Sequence, residues 1–321
     1  MNRLTPVEHW AMRWVDRYVP CLKPPRLFPG WTVSHYRIAP QTRLWRFRNE
    51  RWQAAKQPFK ARLSGNTKIW IQPGEEISAS VYIGGCYEPN QMRILFRMLA
   101  PGMVFMDVGA HDGVYTLCAA SLVGSKGRVI ALEPSQREFE HLQANLSANR
   151  FQNVSAYRAA AYSSDGETRL NVAEPFYSGH NTTSNFIYQT TKFHSAESVP
   201  AYTLDSIAKK EHLDTVDILK IDVEGAEPHV LTGSQELLQK HRPVLFVEIV
   251  SASKDAPSQS DVPNVWEFLI SRGYRLFAFD LETGEPFACA SHPGSPHSDF
   301  IAVPSHPRPA LAGALTRAHL S

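Results

Sequence analysis

The chain has 321 residues, of which 43% are apolar and 20% charged, an ordinary globular composition. The length allows one large domain or two small ones, and no apolar run approaches the length of a membrane span. The net charge of +2 hides an asymmetry: residues 1–65 carry 13 Lys and Arg against 3 Asp and Glu, a formal +10, so the remainder carries −8. Arg, Asp and Glu interrupt the N-terminus, so a signal peptide is not expected. Cys21, Cys86, Cys118 and Cys289 are far apart and form no C-x-x-C pair. That argues against a zinc site and a disulfide scaffold, and for a reducing, cytoplasmic setting.

The leader opens with a short helix over 7–18, with Trp10, Trp14 and Arg17 on one face, broken by Pro20, Pro24, Pro25 and Pro29. Six of the seven tryptophans lie between Trp10 and Trp70. Such a basic, Trp-rich segment either packs on the acidic body or meets an anionic surface. From Ile69 the text becomes regular. Strands are expected at 69–71 and 80–83, then a loop through Tyr87 and Glu88. A helix after Pro89 presents Met92, Leu95, Phe96 and Leu99 and stops at Pro101-Gly102.

Residues 103–113 are the focus. An apolar run suited to a strand buried on both faces ends in Asp107, Gly109 and Gly113, and helical spacing resumes at Val114, Leu117 and Cys118. Strand, glycine turn and helix N-terminus together suit a nucleotide-like cofactor. A dinucleotide fingerprint would need glycines where His111 and Val114 stand, which disfavours a nicotinamide oxidoreductase. The pattern D-x-G-x-x-x-G resembles motif I of S-adenosylmethionine (SAM) methyltransferases.

A second strand, 128–132, ends in Glu133-Pro134. Glu133 lies 24 positions after Gly109, the usual spacing to a carboxylate that accepts both ribose hydroxyls. Ser135 and Glu138 read as a capping box. The helix they start carries Phe139, Leu142 and Leu146. Strands follow at 154–160 and 167–172. Residues 173–195 read as a long polar loop holding His180, and Tyr188 and Lys192 in it form Y-x-x-x-K by chance. A helix over 203–213 precedes a strand at 217–223 and the turn Glu224-Gly225-Ala226-Glu227. One helix through 229–239 and a strand at 243–249 bearing Glu248 come next. A Ser/Asp/Pro loop spans 251–262. The helix 265–272, strands 274–279 and 299–303, and a frayed Ala/Leu tail complete the chain.

Several pieces together resemble the FkbM-type SAM-dependent methyltransferases: G-C-Y-E-P (85–89), D-V-G-A-H-D-G (107–113), L-E-P (132–134), A-N-L-S-A-N (144–149), L-K-I-D-V-E-G-A-E (219–227) and V-E-I (247–249). Position 111, usually Asn in that motif, is His here. The resemblance implies a class I methyltransferase fold, Rossmann-like: a seven-stranded, mostly parallel sheet, helices on both faces, and a terminal antiparallel hairpin. It divides the chain into a leader (1–69), a methyltransferase domain (70–303) and a tail (304–321). It places SAM against Glu88, Asp107, Gly109, Ala110, His111, Gly113, Glu133, Pro134 and Asp222. It implies O-methylation of a hydroxyl on a sugar, glycolipid or polyketide-like acceptor.

An alcohol must lose its proton during the transfer, so a base is expected. Asp222 is the first choice, with Glu224, Glu227, Glu248 and the loop residue His180 as alternatives. A Mg²⁺-assisted version, with Asp222 and Glu248 as hard oxygen ligands, is the lesser alternative, because Ile249 stands where a third ligand would complete the site. The competing class is a binding protein that holds SAM or a glycan without turnover. Nucleic acid is not the expected partner; peripheral contact with an anionic membrane is a further expectation for the leader.

Overall fold

The computed structural model describes residues 43–63, 67–187, 189–249, 264–280, 283–293 and 299–320. The expected helix over 7–18, the Y-x-x-x-K pair and the 251–262 loop lie wholly or partly outside those residues. The leader contributes helix α1 (Arg43–Ala54) and the antiparallel pair β1 (Phe59–Arg62) and β2 (Lys68–Ile71). Trp45, Trp52 and Leu63 pack on the main core, and Arg48 Nη1 donates to the Tyr82 carbonyl at 2.9 Å. These tryptophans are therefore packing residues.

Residues 80–83, expected as a strand, are helical: α2 (Glu76–Ala79) runs on into a π-turn (Ser80–Gly84). Ile77 and Ser78, and four positions on Val81 and Tyr82, are all buried, adjacent pairs that share one face of a helix and that a strand would split between its two sides. Helix α3 (Pro89–Met98) leads to β3 (Val104–Val108), α4 (Val114–Val123), β4 (Arg128–Leu132), α5 (Gln136–Asn149) and β5 (Val154–Tyr157). The strand expected over 154–160 is two: β5, and β6 (Ala160–Ala161) in another sheet.

The expected polar loop is partly structured. Between β7 (Gly166–Ala173) and β8 (Phe193–Tyr202) lies a short 3₁₀ helix (Pro175–His180). β8 escaped notice because little of its F-H-S-A-E-S-V-P-A-Y is buried beyond Val199 and Ala201. Thr203 caps α6 (Leu204–Lys210), its hydroxyl accepting the Ser206 N–H at 3.0 Å. After β9 (Ile218–Ile221) the expected single helix is α7 (Glu227–Thr232) and α8 (Gln235–His241). They part at Gly233, whose backbone lies so near the Tyr162 carbonyl that a Cβ there would come within 2.0 Å of its oxygen.

The chain ends with β10 (Val244–Glu248), α9 (Val265–Ser271), β11 (Tyr274–Phe279), β12 (Pro286–Cys289), β13 (Asp299–Pro304) and α10 (Pro309–Ala318). The main sheet has the order β12-β11-β13-β10-β9-β3-β4-β5. The strands β10, β9, β3, β4 and β5 are parallel, and β13, β11 and β12 complete it antiparallel. The expected seven strands are present, and β12 adds an eighth at the edge. Apolar clusters cover both faces. A second sheet, β6-β8-β7, stands apart from the first. The chain turns outward from β3 through β4 to β5, then returns to β9 on the other side of β3. A crevice at the carboxyl ends of β3 and β9 follows from that reversal.

The tail is not frayed. Leu311, Ala314, Leu315 and Ala318 of α10 recur at helical spacing and are buried in the cluster that also holds Met92, Leu95 and Met98 of α3. Arg317 Nε adds a bond to the Arg97 carbonyl at 2.9 Å. Leu311→Ala should therefore lower the unfolding free energy by about 2–5 kcal/mol, the range for emptying a buried leucine site. Denaturant titration measures this, and an unchanged midpoint would contradict the packing.

Candidate active site

Gly109 closes the turn after β3 with φ +81°, and a Cβ on it would fall 1.8 Å from the Asp222 carbonyl oxygen. The close approach that requires glycine is thus to the protein's own backbone at the end of β9. The Gly109 and Ala110 N–H groups both donate to the Leu132 carbonyl at 3.0 Å. They are engaged by β4. Gly113, φ +90°, heads α4, where a Cβ would meet Leu142 at 2.5 Å. The first N–H groups of α4 beyond it are the ones a helix leaves open.

Glu133 is buried at the end of β4. Its Oε2 accepts the His111 N–H and its Oε1 the Ser135 N–H, each at 2.9 Å. Ser135 and Glu138 do not form the expected reciprocal box: the Ser135 hydroxyl bonds the Glu138 carboxylate directly, while its N–H serves Glu133. Burial, with Glu138 adding to it, raises the Glu133 carboxyl to about 7. His111 (φ +50°) has its ring 3.7 Å from Asp112. Burial opposes its charge, but Asp112, Glu138 and Glu133 outweigh burial and raise it to about 9.

These residues line a cleft that is partly open to solvent. Asp107, Gly109, Ala110, His111, Glu133, Pro134, Asp222 and Glu224 all reach it, with Ser178, Asn181, Thr182 and Thr183 from the segment after β7. Several polar atoms here are buried without a hydrogen-bond partner among the described residues: Asp107 Oδ1, both ring nitrogens of His111, both Asp112 carboxylate oxygens, and Ser178 Oγ. Buried polar atoms in native proteins find partners, so the cleft suits a polar ligand.

Acids gather at the end of β9. Asp222, Glu224 and Glu248 bring oxygens within 4.8 Å of one another. Glu248 faces Asp299 in register across β10 and β13. Glu88 accepts the Tyr115 hydroxyl at 2.6 Å. Burial first, then the neighbouring acids, raises Glu88 to about 8, Glu224 to about 9 and Glu248 to about 10. Lys220 donates to Asp222 Oδ2 at 2.7 Å. Two of the expected bases stand aside. Glu227 Oε1 accepts the Val223 and Gly225 N–H groups and so braces the turn in which Glu224 adopts φ +52°. His180 points its ring at Thr191, 2.6 Å away, and at Tyr177, and is not part of the cleft wall. Sequence reasoning missed Lys220, Tyr115, Asp112 and Asp299. The K-I-D spacing, which puts Lys220 and Asp222 on one face of a strand, was the available signal for the first.

The strand order, the crevice at its reversal and the acidic β9 end define the class I methyltransferase fold. The chain belongs to the FkbM methyltransferase family: the Methyltransferase FkbM domain matches residues 107–276, more than half of it. The hexuronic acid methyltransferase AglP of Haloferax volcanii is 27% identical over 187 residues, 58% of this chain and 72% of AglP. Protein-L-isoaspartate O-methyltransferase 1 of Arabidopsis thaliana is 31% identical over 83 residues, 26% of this chain and 33% of that protein. The AMB antimetabolite synthetase AmbE of Pseudomonas aeruginosa is 23% identical over 308 residues, 84% of this chain but 14% of AmbE. The chain thus spans about a third and about a seventh of the last two. Among solved structures, the methyltransferase FkbM of Methylobacillus flagellatus KT has a TM-score of 0.41 at 16% identity, covering 64% of this chain and 47% of that one.

The acid cluster gives stability a definite pH dependence. Glu224 and Glu248 hold protons to about 9 and about 10 when folded, against 4.5 when unfolded. Across that window the folded state binds more protons, so their contribution is full below 4.5 and is lost as pH rises. Glu248→Gln should flatten the fall in unfolding free energy toward alkaline pH, measured on ligand-free protein by denaturant titration at a series of pH values. A slope as steep as wild type would refute the assignment.

Proposed function

We propose that this chain is a SAM-dependent methyltransferase that methylates a hydroxyl on a sugar, glycolipid or polyketide-like acceptor, with Asp222 as base. The observation that carries the reading is the joining, in one cleft, of Glu133, the Gly109 turn and the acidic end of β9. The donor set fits SAM: Glu133 retains acceptor capacity for ribose hydroxyls, and the partnerless Asp107, Asp112, His111 and Ser178 atoms offer polar contacts to the rest. When bound, SAM supplies a methyl group already activated on a sulfonium. Asp222 then removes the acceptor's proton. The name of the relative AglP makes a hexuronic acid the first acceptor to try.

The reaction needs no metal on this reading. The three carboxylates near one another at the β9 end already have a cation, the Lys220 ammonium, on Asp222. Activity insensitive to EDTA is expected; loss with EDTA and recovery with Mg²⁺ would favour the metal-assisted version.

Glu133→Ala should weaken SAM binding by about 1.5–3 kcal/mol, the range for hydrogen bonds to a charged group, as read by titration calorimetry. Asp222→Asn should bind SAM but transfer methyl from labelled SAM to hexuronic acid and sugar glycosides about 10²-fold more slowly or worse. SAM binding with no transfer to any acceptor, in wild type as well, would favour the binding-protein reading.

The leader is proposed to touch an anionic surface through charge alone. Arg43, Arg46, Arg51, Lys56, Lys60, Arg62 and Lys68 are exposed, with Glu50 the one acid between 43 and 71. Replacing Arg46, Lys60 and Arg62 by Gln should cost about 1 kcal/mol per residue in binding to anionic vesicles at low salt. Equal binding by both forms, or none by either, would end the proposal.

A further inference from the structure

Glu88, Asp107, Asp222, Glu224, Glu248 and Asp299 surround a single lysine among the described residues. Lys220 lies on β9 with 4% of its side chain exposed. The register sets it beside Asp107 on β3 and Phe246 on β10. Its Nζ donates to Asp222 Oδ2 at 2.7 Å and stands 4.7 Å from the centre of the Tyr115 ring. Tyr115 is itself fixed, with its hydroxyl on Glu88 and Tyr87 packed edge-on, 6.5 Å between ring centres. The ammonium therefore has little room to move. Burial opposes its charge, but Asp222, Glu88 and Asp107 outweigh burial and hold the proton more tightly than usual.

We propose that Lys220 is a positioning residue for methyl transfer: bonded to Asp222 Oδ2 and seated over Tyr115, it fixes which of the clustered acids carries the negative charge and so makes Asp222 the base. The proposal rests on the reading that Asp222 accepts the acceptor's proton. With Oδ2 held, Oδ1 takes that proton. The hydroxyl oxygen's electron pair forms the O–CH₃ bond, and the pair of the breaking S–CH₃ bond stays on sulfur. A carboxylate and a sulfonium thereby become a carboxylic acid and a thioether, so charge balances. Without the ammonium, Asp222 would stand within 4.8 Å of Glu224 and Glu248 with no cation on its carboxylate. Mutual repulsion would then favour a shared proton over a fixed base.

The test needs no acceptor. In full-length protein with carbon-13-labelled aspartate, Asp222→Asn identifies the Asp222 carboxyl resonance. Its titration midpoint should rise by at least about one pH unit in Lys220→Met, a tenfold change in proton affinity, and return toward wild type in Lys220→Arg. An unchanged midpoint in folded Lys220→Met overturns the proposal. If Lys220→Met does not fold, nitrogen-15-labelled lysine in otherwise unaltered protein serves instead. The buried Lys220 ammonium signal should move in Asp222→Asn and stay in Glu224→Gln; equal responses overturn the proposal. These readouts do not involve turnover. Undiminished turnover in Asp222→Asn would sink the base assignment by itself, while the titrations decide the role of Lys220.

Discussion

The cleft depends on how closely the end of β9 passes the turn that follows β3. The Asp222 N–H bonds the Val108 carbonyl at 3.0 Å, and the Asp222 carbonyl then lies where a Gly109 Cβ would be. Any side chain at 109 would push the two strand ends apart and move Asp222 with them. The same contact brings the acids of β9 to the turn that carries Ala110 and His111. The spacing of the cleft is thus a backbone property, and its charges are added to a fixed frame.

That frame tolerates a costly arrangement. Glu88, Glu224 and Glu248 are driven toward their neutral forms, because a buried carboxylate beside others loses more in desolvation than it gains. The central sheet can bear this because β3, β9 and β10 are apolar on their remaining positions, from Phe105 and Met106 to Ile218, Leu219 and Phe246. Clustered acids with displaced proton affinities in a cleft are a mark of sites kept for chemistry at the expense of stability.

Much of this was legible in the sequence. The β3 run, the Gly109 and Gly113 turn, Glu133 and the K-I-D-V-E-G-A-E stretch are local signals, and each lies where its spacing put it. What failed was non-local. The reading of 80–83 as a strand weighed a short apolar run without the buried face it shares with Ile77. The tail looked frayed because an Ala/Leu helix declares itself only by what it packs on, here α3, more than 200 positions earlier in the chain. Asn145 and Asn149 show how a motif can be visible while its reason is hidden. Their side chains accept the Trp70 and Lys68 N–H groups at 2.7 Å, and Asn145 also donates to the Asp112 carbonyl at 2.8 Å. They fasten the leader hairpin and the turn after β3 to one helix.

The segment after β7 shows the same coupling on another wall of the cleft. The Thr182 hydroxyl donates to the Glu224 carbonyl at 2.7 Å, and Asn181 Nδ2 to Glu138 at 3.0 Å. Ile187 packs where a Gly225 Cβ would come within 3.2 Å of it. A polar stretch that looked like a free loop is therefore tied to the helix below Glu133 through Asn181 and to the acidic turn through Thr182. Its exposed rings, Phe176 and Phe193, stand on a segment whose position is set by both halves of the site. A shift of the Glu224 turn would move the Thr182 contact with it, and with that contact the part of the cleft wall formed by Asn181 and Thr183. The wall formed by the second sheet and the wall bearing the acids are thus one mechanical unit.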